Sequence, residues 1–187
     1  MIKSISKLAQ VIRLHQWWRF KIAPAMGLFL LFQAANGAGW DVTMSCHFFL
    51  VAVSIGTAAA FTSLSNDLFD LQSDAEAGKF NRLADLSKTR RRLLLGFVAS
   101  AGLMAAWAMP TATARWLYGA LWANWLIYSA PPIRTKNRGA FGALSDAIGS
   151  HLLPTALVIE LARWDWHTGI LLPAIAIAWS LTWGLRG

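Results

Sequence analysis

The sequence predicts an all-α fold, a polytopic membrane bundle of about six transmembrane helices. Three observations carry that prediction. Of 187 residues, 56% are hydrophobic and only 14% charged, against roughly 45–50% apolar in soluble domains. The apolar residues gather into six stretches of spanning length. Threaded alternately through a bilayer, those stretches leave fifteen of the 17 Lys and Arg residues on one side. This composition excludes a disordered chain and a collagenous repeat. The single cysteine, Cys46, excludes an intramolecular disulfide framework.

In chain order, residues 1–20 come first. Ile2, Ile5, Leu8, Val11 and Ile12 recur at helical spacing with Lys3, Lys7 and Arg13 between them, which predicts an amphipathic helix lying on the membrane surface. No apolar run followed by a small-residue cleavage site precedes the first span, so a removable signal peptide is not expected. The predicted spans are 22–38, 46–65, 93–110, 114–130, 141–161 and 169–185. A soluble bundle would need polar faces at helical period, and 46–65 is apolar or small almost all round. No separate soluble domain or short repeat interrupts the pattern, so 1–187 reads as a single membrane domain.

The formal charge of +8 belongs to this topology. The segments before spans one, three and five, and after span six, carry all the Lys and Arg except Arg115 and Arg163. The positive-inside rule then puts the N-terminus and both basic loops in the cytoplasm, as in a bacterial-type inner membrane. Trp40, Trp107, Trp164 and Trp166 fall near the proposed outer boundary and Trp17 and Trp18 near the inner one, as an aromatic belt would place them. With the charge explained by topology, nucleic acid is not an expected partner.

Chemistry concentrates in NDLFDLQSD, residues 66–74. At about 100° per residue, Asp67, Asp70 and Asp74 fall within about 60° of one another, and Asn66 widens the arc to about 100°. Three of the nine acidic residues in the chain therefore share one face at the end of an apolar helix. A solvated helix end accounts for a lone Asp. It accounts less well for a cluster where the helix dipole disfavours negative charge. Carboxylate oxygens without Cys or His partners suit Mg²⁺, which keeps sites for phosphate and water, and that points to a diphosphate substrate. Lys79 and Arg82 follow within AGKFNRL and can donate to phosphate oxygens. The KTRRR run, 88–92, reads as an anchor on anionic lipid.

The loop after the fourth span, IYSAPPIRTKNRG, has Pro131 and Pro132 to stop the helix. Tyr128 stands at the helix end. Arg134, Lys136 and Arg138 follow at spacing two, which on an extended segment aims three cations to one side.

With these motifs in order, the chain resembles the UbiA superfamily of intramembrane prenyltransferases, of the 4-hydroxybenzoate polyprenyltransferase type. The resemblance rests on NDLFDLQSD as the first aspartate-rich motif, the GKFNR stretch, the YSAPPIRTK loop and HQWWRFKIAP before the first span. It implies an all-helical fold, usually of about nine spans around a cavity. It also implies transfer of a prenyl group from a polyprenyl diphosphate to an acceptor, commonly an aromatic ring or quinone precursor. Carried over by position, Asn66, Asp67 and Asp70 hold the Mg²⁺-diphosphate and Asp74 completes the motif. Lys79 and Arg82 contact phosphate, as does Arg134 or Lys136, and Tyr128 matches the family's tyrosine. Asp146 lies where members carry a polar cavity residue. The family's second aspartate-rich motif has no counterpart here, since only Asp165 follows the fifth span. The expectation is therefore the N-terminal two-thirds of such an enzyme, with stand-alone activity in question.

In this reading Trp122, Trp125, Trp179 and Trp183 are candidates to face an allylic cation, with packing as the simpler role. His151 is expected to make a helix–helix hydrogen bond. No G-x-S-x-G, zinc pair, P-loop or dinucleotide fingerprint is present. Two other classes stay open: a cation-coupled transporter using the same acids, and a catalytically silent membrane assembly partner.

Overall fold

The computed structural model of the chain describes residues 14–37, 39–165, 167 and 169–184, and among these it is all-helical. Six helical rods follow one another. The first, α1, runs Leu14–Trp17, passes through a π turn Trp18–Ile22 and continues as Ala23–Asn36. Next come α2 (Val42–Glu76), α3 (Lys88–Trp107) and α4 (Ala112–Ser129). The fifth, α5, joins Ala140–Ala147 to Leu153–Leu161 through a second π turn, Ile148–Leu152. The last is α6 (Leu171–Gly184). These rods stand where the six spans are predicted. The predicted surface helix of residues 1–20 falls largely outside the described residues, as do Trp166 and the side chain of Trp183.

The ends follow from local chemistry. Asp41 caps α2 by accepting from Met44 N at 2.7 Å, Ser87 caps α3 through Arg90 N at 3.3 Å, and Thr111 caps α4 through Ala114 N at 3.0 Å. Each satisfies a backbone donor that the first helical turn leaves unpaired. Gly37, with φ 63°, ends α1 in the left-handed conformation that glycine adopts without steric cost. Helix α2 is longer than its predicted span. It carries the whole acidic motif as three further helical turns.

By length and hydropathy, α2 and the 22-residue Ala140–Leu161 rod are the two described helices able to cross a membrane; Leu171–Thr182 is apolar but shorter. The other rods fall short for visible reasons. Helix α3 opens on KTRRR, and the α-helical part of α1 has 14 residues.

Phe29 and Phe32 of α1, Val51 and Ile55 of α2, Tyr118 and Leu121 of α4, and Leu157 and Leu161 of α5 form one buried cluster. Polar ties close the bundle at one end. Gln33 Nε2 donates to the Ala162 carbonyl at 2.5 Å, and His47 Nδ1 lies 2.9 Å from the Leu161 oxygen. Trp164 belongs to this core. It is 8% exposed and packs edge-on against Phe32 at 5.1 Å. Trp40 and Trp107 are exposed. At the other end a smaller cluster of Ala60, Leu64 and Val98 receives Leu83, anchoring the α2–α3 loop to the helices.

The α4–α5 contact that shapes the site depends on Gly149. A Cβ there would stand 2.2 Å from Asn124 Nδ2 and 3.1 Å from the Trp125 ring. Gly149→Ala should therefore force the helices apart and cost about 1–3 kcal/mol, the usual range for overpacking. Thermal unfolding in detergent, followed by tryptophan fluorescence, checks this; an unchanged midpoint would show that the contact is not tight.

Candidate functional site

Helix α2 delivers Asn66, Asp67, Asp70 and Asp74 to the end of the bundle where the α2–α3 and α4–α5 loops also lie. The carboxylates share a helix face in sequence, but in the fold they turn toward two different loops. Asp67 meets Arg82 of the first loop in a two-point ion pair, with Nε donating at 2.6 Å and Nη2 at 2.5 Å. Both side chains are largely buried, Asp67 at 11% exposure and Arg82 at 18%. The match of planar guanidinium to carboxylate fixes direction as well as distance.

Asp70 faces the second loop. Arg134 Nη2 donates to Oδ1, and Lys136 Nζ donates to Oδ2 at 2.6 Å and to Asn66 Oδ1 at 3.4 Å. Arg134 adopts φ 40°, a left-handed conformation that costs a non-glycine residue roughly 1–2 kcal/mol. The strain coincides with the residue that reaches Asp70, and such strain gathers at functional sites. Arg134 Nε is buried with no hydrogen-bond partner among the described residues.

The predicted row of three cations is corrected here. Residues 135–137 form a 3₁₀ turn instead of an extended strand, so alternation no longer fixes direction. Arg134 and Lys136 converge on Asp70, while Arg138 turns back to donate to the Pro132 carbonyl at 3.1 Å. The sequence left open which of Arg134 and Lys136 serves the site, and both reach it. Lys79 is exposed and makes no ion pair with the acids among the described residues.

Asn81 carries a role the sequence did not single out. Its Nδ2 donates to the Asp67 carbonyl and to Asp74 Oδ2, each at 2.8 Å, and its Oδ1 accepts from Leu83 N at 3.0 Å. It buckles the first loop onto the acidic face. The signal was the Asn-Arg pair itself: a short amide beside a cation suits a loop that must satisfy helix-end groups.

Behind these pairs lies a cavity of about 250 Å³. Helix α2 contributes Thr62, Ser63, Asn66 and Asp67 to its wall, and α4 contributes Trp125 and Tyr128. Trp17 and Lys21 close it from α1, Asp146 and Ser150 from α5. A small pit of about 20 Å³ adjoins it, between Ala58, Ala59, Leu121 and Gly149. Tyr128 and Trp125 meet edge to face at 5.4 Å. Of the tryptophans suggested for a cationic partner, Trp125 lines the cavity, Trp122 packs on Phe61 at 4.5 Å and Trp179 is exposed. His151 meets α1, with Nε2 at 3.4 Å from Lys21 Nζ.

No group of three or more His, Cys, Asp or Glu side chains converges as a metal cage among the described residues. The donor set is nevertheless of the hard-oxygen kind Mg²⁺ uses. Asn66 Oδ1 and Asp70 Oδ2 already converge on one cation, Lys136, and one or two carboxylates plus phosphate suffice for Mg²⁺. No family model matches the sequence, and no characterised protein or solved structure matches it either.

If Asn81 is the buckle, Asn81→Ala removes three hydrogen bonds at once. Amides around Leu83 should then exchange at least about tenfold faster, the equivalent of about 1.4 kcal/mol lost in a partly buried network. Hydrogen exchange read by mass spectrometry tests it; unchanged protection of 81–87 would assign the loop's order to Leu83 alone.

Proposed function

We propose that this chain is a polytopic membrane prenyltransferase of the UbiA type, transferring a prenyl group from a polyprenyl diphosphate to an acceptor, an aromatic ring or quinone precursor, with Mg²⁺ as cofactor. The observation that carries the reading is the mouth of the cavity, where two carboxylates of one helix meet three cations from two loops. Such a mouth suits a ligand that brings both negative charge and a divalent cation. The carboxylates can then turn to metal while Arg82, Arg134 and Lys136 turn to phosphate oxygens. A transporter reading lacks comparable support, because the acids here are already paired with cations instead of facing an open path.

In this mechanism Asn66, Asp67 and Asp70, with Asp74 alongside, would hold Mg²⁺, which would supply charge neutralisation for a departing diphosphate. Arg82, Arg134 and Lys136 donate hydrogen bonds to its oxygens as charge develops, which lowers the barrier to breaking the allylic C–O bond. Trp125 and Tyr128 line the space where the allylic carbon would stand, and their ring faces favour positive charge.

Membrane embedding is part of the proposal. Besides the apolar lengths of α2 and α5, large apolar side chains stand outward on the other rods, among them Phe97, Leu103, Met104 and Trp107 of α3 and Trp116 of α4. That much exposed apolar surface suits lipid. The inner face is assigned to the acidic motif and both basic loops by the positive-inside bias. In a Cys46→Ala background, Asn137→Cys should react with an impermeant maleimide only in inverted vesicles, and Asp165→Cys only in intact cells. Reaction of both from the same side would overturn the multi-pass topology.

Membranes carrying the protein should convert tritiated geranylgeranyl diphosphate and 4-hydroxybenzoate into a prenylated product in the presence of Mg²⁺, and chelation should stop it. Asp67→Ala with Asp70→Ala should lower the rate at least about 10³-fold, as removal of transition-state charge stabilisation does. Product formed equally fast by the double variant would discard the assigned site, and no product from the unaltered chain would favour a silent assembly partner.

A further inference from the structure

Away from the acidic mouth, the inner wall of the cavity is built where the two π turns face each other. A π turn inserts a residue into the helical ladder and re-aims the side chains beside it, which is why such turns recur at functional sites. Here the turn of α1 presents Lys21 and the turn of α5 presents Ser150 and His151. Lys21 Nζ donates to the Ser150 carbonyl at 3.5 Å and lies 3.4 Å from His151 Nε2. One helical turn before Ser150 stands Asp146, whose Oδ1 accepts from Ser150 Oγ at 2.8 Å.

Asp146 differs from the acids of the mouth. Asp67 and Asp70 are committed to Arg and Lys in close ion pairs. Asp146 lines the same cavity, is in no ion pair within 4.0 Å among the described residues, and is oriented by a neutral hydroxyl. Lys21 attracts it from across the wall. A carboxylate on an apolar helix is costly and marks function by default.

Ser63 Oγ, in a residue only 3% exposed, and Trp17 Nε1 are buried without hydrogen-bond partners among the described residues, and both residues line the cavity.

We infer that Asp146 is the base that takes the proton released by the prenyl acceptor, with Ser150 and Lys21 positioning it. The assignment rests on the prenyl-transfer reading. In the step, the acceptor atom forms a bond to C1 of the prenyl group. The C1–O bond breaks and its electron pair leaves on the diphosphate. The proton the acceptor atom gives up goes to the Asp146 carboxylate.

The test measures prenylation of 4-hydroxybenzoate by geranylgeranyl diphosphate in nanodiscs, alongside binding of the diphosphate substrate, for the unaltered chain and for Asp146→Asn, Asp146→Glu and Ser150→Ala. Groups facing Asp146 that titrate or carry charge are Lys21 from α1, Asp67 from α2, Tyr128 from α4 and His151 on its own helix; α6 brings none. Expected are a loss of about 10²- to 10⁴-fold for Asp146→Asn, the span of general-base contributions, with diphosphate binding kept. Asp146→Glu should recover part of the rate, and Ser150→Ala should lose less than Asp146→Asn. An Asp146→Asn variant that keeps full activity would overturn the base assignment alone. Loss of diphosphate binding together with activity would overturn it in favour of a structural role. Absence of product from the unaltered chain would overturn the prenyl-transfer reading and the base with it.

Discussion

The site depends on the pairing of α2 carboxylates with cations from two separate loops. Asp67 fixes the α2–α3 loop through Arg82, and Asp70 fixes the α4–α5 loop through Arg134 and Lys136. The carboxylates stand at the C-terminal end of a long apolar helix, where the helix dipole offers them no stabilisation. The cations compensate, and in doing so they fold both loops over one cavity. Burying such pairs adds little net stability by itself, because desolvation offsets the attraction. Their consequence is positional: each loop has one register in which its cation reaches an acid. Gly142 supports the second register, since a Cβ there would stand 2.8 Å from the Thr135 carbonyl and 3.2 Å from Lys136 Cα.

Much of this was legible in the sequence. Six apolar stretches separated by capping residues and prolines became six rods, and the caps at Asp41, Ser87 and Thr111 are of the residue types that favour that position. The NDLFDLQSD face announced itself through the scarcity of acids elsewhere. Spacing could not show how that face would divide between two loops, because partner choice depends on where chain-distant cations arrive. Arg138 illustrates the difficulty. Its alternation with Arg134 and Lys136 promised a shared direction, and a single 3₁₀ turn removed it. The packing of Trp164 on Phe32 was likewise not legible from its position in the chain.

The inner wall was the least legible part. Neither π turn has a sequence signature, since each is an adjustment of the ladder to its neighbours, and only in three dimensions does Lys21 arrive beside Ser150 and His151. Asp146 was visible as an acid in an apolar stretch, but its contact with Ser150 depends on the helical turn joining them. The cavity therefore has two polar ends of different character. One is rich in charge and suited to an anionic headgroup with its cation. The other has Asp146, a carboxylate in no ion pair among the described residues, suited to a molecule that gives up a proton.

The central claim is that the ion pairs at the mouth are exchanged for a metal-bound diphosphate. Its most direct test is calorimetric titration of the purified chain in nanodiscs with geranylgeranyl thiolodiphosphate, a non-reacting probe, with and without Mg²⁺. Tight binding that requires Mg²⁺ and disappears when Asp67 and Asp70 are both replaced by alanine is the predicted result. Binding that is indifferent to Mg²⁺ and survives the double replacement would contradict the account.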